Sequence, residues 1–133
     1  MQQYKVAFDS LPWSSPATGV RLKAHRHGDR QLRLLEFTDQ FVEPDWCVKG
    51  HVGYVLEGQL EIDFHGNKII FNPGDGIFIP PGEEHKHMGK SLTDVVRVVL
   101  VEDVQTQSKR PFGVRRLVAA FRPAERRIKM RFG

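Results

Sequence analysis

The 133-residue chain contains a single cysteine, Cys47, so no disulfide can form within it. A chain of this length buries enough apolar surface to fold without one, and nothing in its cysteine usage points to an oxidising compartment. Also missing is any apolar run near the about 20 residues that cross a bilayer. The opening residues Met1 to Asp9 have neither a long apolar stretch nor a small-residue cleavage site. The expectation is one soluble, cytoplasmic domain spanning residues 1–133, with no membrane partner. No convincing helical periodicity occurs before residue 110, which weighs against a helical or α/β fold.

The net charge of +4 hides an imbalance. Residues 1–108 hold 11 Lys/Arg against 15 Asp/Glu, whereas residues 109–133 hold 9 against one. A basic tail of this kind usually forms a solvated or docking face, and no groove-reading motif accompanies it, so nucleic acid is not the expected partner. Val114, Leu117, Val118 and Phe121 fall at helical spacing ahead of Pro123, and Ile128 to Phe132 alternates as a terminal strand does.

The body reads as short strands punctuated by Gly and Pro. Tyr4 to Phe8 is a possible first strand in an N-terminal arm, residues 1–30, whose Pro12 and Pro16 argue for irregular, extended chain anchored by Trp13. Val20–His25 and Gln31–Thr38 flank a turn at Arg26–Arg30. Val52–Leu56 and Leu60–Phe64 flank Glu57-Gly58-Gln59, the signature of a hairpin. Ile69-Ile70-Phe71 reads as a short buried run, Ile77-Phe78-Ile79 as a strand stopped by Pro80-Pro81-Gly82, and Asp94–Glu102 as a Val-rich final strand. Many short strands at close spacing predict an all-β, small antiparallel barrel with its core at about residues 31–103.

Ligand-type residues gather in two runs, Asp45 to His51 and Glu83 to His87. Gly74, Pro80, Gly82 and His85 reproduce the spacing of the second motif of the cupin superfamily, with Gly89 where that motif has Asn. Counting back from Gly58, the first motif's Glu position holds His51, and its two His positions hold Asp45 and Cys47. The chain thus resembles a small single-domain cupin, a jelly-roll-like double-stranded β-helix, with an altered first motif. The resemblance implies a divalent metal at the barrel mouth and a small organic molecule bound or transformed there. It does not choose between an enzyme and a non-catalytic binding or sensing module.

On the residues themselves, Asp45, Cys47 and His51 share a face if one regular strand runs through them, as do His85 and His87. Cys47, His51 and His85 would form a soft three-ligand set suited to zinc, with an open position. Asp45, His51 and His85 would form the two-His, one-carboxylate set of non-haem iron enzymes, though a nearby thiolate invites oxidation. Zinc is favoured, with iron, manganese and nickel as alternatives. His87 and Glu84 are the candidate acid or base. Each has a plainer reading: Cys47 and His51 packing in a metal-free barrel, Asp45 capping a turn after Pro44, His87 facing solvent. Val55, Phe64, Phe71, Phe78 and Trp46 are the expected apolar cavity walls. Apolar outer faces and an extended arm predict a homodimer, formed by arm or edge-strand exchange.

Overall fold

A computed structural model describes residues 4–104; the helix and strand expected in the basic tail lie outside the described residues. Nine strands run through this region: β1 (Ser14–Ala17), β2 (Val20–His27), β3 (Arg30–Thr38), β4 (His51–Glu57), β5 (Leu60–Phe64), β6 (Asn67–Phe71), β7 (Gly76–Ile79), β8 (Met88–Ser91) and β9 (Val95–Asp103). They form a six-stranded sheet in the order β1-β2-β3-β9-β4-β7 and a three-stranded sheet in the order β6-β5-β8. The registered pairs are antiparallel. Leu35, Phe37, Val55, Val98 and Leu100 from the larger sheet meet Leu60 and Ile62 from the smaller one in a shared core. The all-β expectation therefore holds, as two facing sheets that do not close into a continuous barrel.

Alternation decides which side chains face inward. On β4, Val55 is fully buried while Val52, Tyr54 and Leu56 point outward. On β7, Ile77 and Ile79 are buried and Phe78 is 78% exposed. Phe78 and Trp46, the latter 39% exposed, are not cavity walls, and Val55 belongs to the packed core. Ile69 and Ile70 on β6 are exposed too, because β6 is an edge strand with one neighbour.

The segment Val52–Leu56 does not pair with Leu60–Phe64, because β4 and β5 belong to different sheets. Glu57-Gly58-Gln59 is a crossover, and Gly58 is required there by space as well as by its φ of 78°. A Cβ on Gly58 would stand 2.0 Å from the Val95 carbonyl oxygen. Close backbone approach and a tight hairpin leave the same glycine signature in a sequence.

The N-terminal arm is more regular than its prolines suggest. Tyr4 to Ala7 form no strand and Phe8–Ser10 is a single 3-10 turn, but Ser14–Ala17 adds an edge strand on β2. Pro16 is tolerated there because an edge strand needs fewer donors. Trp13 lies over Arg21 and Lys23, 4.0 and 4.8 Å from its ring centre, and Lys23 Nζ donates to the Phe8 carbonyl at 2.8 Å.

Candidate metal centre

Residues of β2, β3, β4, β5, β7, β8 and β9 line a half-open pocket of about 190 Å³. Its walls are mostly apolar, and four polar side chains interrupt them: Arg33, Glu43, His51 and His87. The ligand-type runs meet at one end through a backbone bridge. The Cys47 N–H donates to the His87 carbonyl at 2.8 Å, and the His87 N–H returns the bond to Cys47 at 3.0 Å. Directly opposed residues of an antiparallel pair project to the same side, so Cys47 and His87 face one another. His51, the first residue of β4, completes the group, with donor atoms of all three within 4.8 Å of one another.

The chemistry of each donor follows from its neighbours. His87 is 2% exposed, and its Nδ1 lies 3.0 Å from the His85 carbonyl oxygen. A carbonyl only accepts, so Nδ1 carries the proton and Nε2 keeps its lone pair. That Nε2 is buried without a hydrogen-bond partner. His51 Nδ1 donates to Glu102 Oε2 at 2.6 Å, which turns its Nε2 toward Cys47 Sγ, 3.8 Å away. A carboxylate holding the far nitrogen of an imidazole is the usual support for a metal-ligating histidine.

Glu102 is itself fully engaged. Its Oε1 accepts from Gln31 Nε2 at 3.2 Å and Arg33 Nε at 2.7 Å, and its Oε2 accepts from Arg33 Nη2 at 2.6 Å as well as from His51. Burial pushes its carboxyl up, but the bonds and charges of His51 and Arg33 outweigh that and hold it at about 2. It is ionised at neutral pH and fixes the His51 tautomer.

A soft thiolate, two imidazoles with free Nε2 positions and an orphaned buried nitrogen fit a divalent first-row ion. Tetrahedral zinc needs donors about 3.3 to 3.6 Å apart, so side-chain movements on the order of 1 Å would close this set on it.

The structure does not bring all the expected ligands together. Asp45 is exposed in a bend after Pro44, and residues 48–50 form no strand, so the single regular strand assumed from sequence is broken. His85 ends a 3-10 turn, Glu83–His85, and contributes its carbonyl rather than its imidazole to the site. The two-His, one-carboxylate set of Asp45, His51 and His85 is accordingly not assembled. His87 faces inward rather than solvent, and Glu84 is exposed and does not line the cavity.

Three participants escaped the sequence reading: Arg33, Glu102 and Glu43. Arg33 and Glu102 carried a signal, since each continues an inward apolar face, Leu35 and Phe37 on β3, Val98 and Leu100 on β9.

Comparison with known proteins agrees with this architecture. Residues 48–102 match the family model described as Cupin domain. Among curated proteins the sequence finds no match. KdgF from Halomonas sp. is a similar structure, with a TM-score of 0.63 and 20% identity over 81% of this chain and 98% of that one. The polyketide cyclase RemF from Streptomyces resistomycificus gives a TM-score of 0.65 and 20% identity over 78% and 81% of the two chains. For the EutQ protein of Clostridium difficile the values are 0.60 and 19%, over 80% and 85%. At these identities the likeness speaks for fold, and it agrees with the family match: the chain has a cupin-like fold, and its residues 48–102 match the Cupin domain.

Proposed function

We propose that the protein binds a divalent metal through Cys47, His51 and His87, zinc in preference to iron, manganese or nickel, and handles a small organic molecule in the adjoining cavity. The observation that carries this reading is the buried, unpartnered Nε2 of His87 aimed at the other two donors. Bound there, the ion would supply Lewis acidity toward an oxygen of the small molecule. The chain's own residues do the rest: Glu102 and Arg33 hold His51, the Cys47–His87 bridge sets the donor spacing, and the apolar walls offer a surface for the molecule's apolar part. Catalytic turnover and non-catalytic sensing both remain compatible with this centre. A reducing cytoplasm would keep Cys47 available as a ligand.

Elemental analysis of protein purified without added metal or an affinity tag tests the reading. The expected result is about one first-row metal per chain, lost in a Cys47→Ser/His87→Ala double variant that keeps its circular dichroism spectrum. Wild-type protein that stays metal-free after incubation with zinc overturns it.

One distance favours a second reading. Cys47 Sγ, His51 Nε2 and Glu102 stand in the thiol, imidazole, carboxylate order of a covalent catalyst. Rapid alkylation of Cys47 by iodoacetamide in metal-free protein, slowed by His51→Ala, would favour it over the metal reading.

The homodimer rests on the outward apolar side chains Val52, Tyr54, Leu56 and Phe78 of β4 and β7. These side chains support a contact through this sheet face, beside the arm or edge-strand exchange expected from sequence. Light scattering at micromolar concentration should give twice the chain mass, and Phe78→Lys should halve it; a monomeric wild type removes the proposal.

A further inference from the structure

The pocket has one polar side chain outside the metal centre and its support. Glu43 lines it, half-buried, on the segment that leads toward Cys47. Its Oε1 accepts from the Gly89 N–H at 2.8 Å, and the Glu43 N–H donates to the Gly89 carbonyl at 3.0 Å. The carboxylate therefore takes the place of a backbone carbonyl as acceptor for residue 89. A Cβ at that position would stand 3.4 Å from Oε1 and 3.7 Å from the Phe41 ring, in ordinary van der Waals contact with both.

Glu43 differs from the more deeply buried carboxylates near the core. Glu36 and Glu102 are each held by cations, whereas among the described residues no cation pairs with Glu43. Its one short bond occupies Oε1, and Oε2 has acceptor capacity to spare beside an apolar space. An anionic oxygen in such surroundings gains most from a donor brought in by a ligand. Gly89 follows His87 by two residues, on the same face of the chain, so the two lie about 7 Å apart along it.

We infer that Glu43 is the second anchor of the ligand site, accepting a hydrogen bond from a hydroxyl or ammonium group of a small molecule whose anionic oxygen end meets the centre at Cys47, His51 and His87. This rests on the metal reading. One thiolate and two neutral imidazoles would leave a divalent ion with net positive charge, which draws the anionic end there and leaves the donor end to Glu43. The cavity, about 190 Å³, holds on the order of six water volumes. The ligand class is thus a short hydroxy or amino acid with a carboxylate at the other end and a compact apolar middle.

The experiment uses the full chain loaded with cobalt(II), whose thiolate charge-transfer band reports the centre. Acetate, propanoate and butanoate are titrated beside glycine, 3-aminopropanoate and 4-aminobutanoate, and beside the matching ω-hydroxy acids. The expected result is that at one chain length the substituted acid binds roughly tenfold tighter than its plain counterpart. Glu43→Gln, which still accepts from Gly89, should abolish that preference. Glu43→Asp should move the optimum to a ligand about one carbon longer. A cobalt-loaded wild type with no preference at any length overturns the Glu43 assignment alone, as does a preference that survives Glu43→Gln. Absence of the thiolate band removes the metal reading and this inference with it.

Discussion

Strands β3 and β9 carry one glutamate each between two nitrogen-donor partners, on opposite faces of the same sheet. On the outer face, Glu36 accepts from Arg21 Nε at 2.6 Å and from Arg97 Nε at 2.9 Å. On the inner face, Glu102 accepts from Arg33 and His51. The outer arginine side chains are each 46% exposed, so water and salt compete for them. The inner trio is enclosed, with 8%, 21% and 17% exposure for Glu102, Arg33 and His51. Two guanidiniums can only brace a sheet. Replacing one with an imidazole leaves a second nitrogen pointing onward, and the brace becomes the support of a site.

The sharpest break in that symmetry comes from alanine. Glu102→Ala leaves Arg33 enclosed without its carboxylate and should lower unfolding stability by about 3 kcal/mol. Glu36→Ala should cost about 1 kcal/mol, since its arginines can turn to solvent. Urea titrations of both variants give the comparison directly, and equal losses would erase the distinction between the faces. Next in size is the effect on metal: Glu102→Gln should weaken zinc binding about 10- to 100-fold, read with a competing chelator, while Glu36→Gln leaves it unchanged.

Acid should also separate the two. Both carboxyls sit below their ordinary value when folded. For Glu36 the Arg21 hydrogen bond leads and the Arg97 bond adds to it, against the opposing effect of burial. For Glu102 burial is the largest influence and raises the value, but the bonds from His51 and Arg33 carry it down to about 2. A depressed folded value means each contribution is complete above the unfolded value, near 4.5, and is lost as pH falls through the folded one. Metal-free Glu102→Gln should therefore show a shallower fall in stability between about pH 4.5 and 2 than the wild type. The smallest expected effect is that of salt: going from about 0.1 to 1 M NaCl should weaken the Glu36 cluster by a few tenths of a kcal/mol and barely touch Glu102.

Much of the fold was legible because Gly74, Pro80 and Gly82 mark turns that only certain backbones permit, and because β9 is rich in Val. The site was legible in part. Cys47 and His51 stood out by spacing, but the inward histidine is His87, two residues beyond the motif position. A 3-10 turn at Glu83–His85 and the bridge to Cys47 set that register, and neither follows from side-chain type. Glu43 was hidden for a related reason, since its carboxylate is held by a backbone N–H 46 positions later in the chain. The Gly58 crossover passed for a hairpin because local residues encode the bend, not the destination of the strand that leaves it.

The Cys47–His87 bridge has one further consequence. Both of its hydrogen bonds belong to the peptide groups, so the two positions are joined whatever side chains they carry. Donor identity there can change while donor position is kept, and the pair acts as a socket for interchangeable chemistry. Exchanging Cys47 for His or Asp should retune metal preference without refolding the protein, which would make this pair a natural starting point for divergence in what the cavity does.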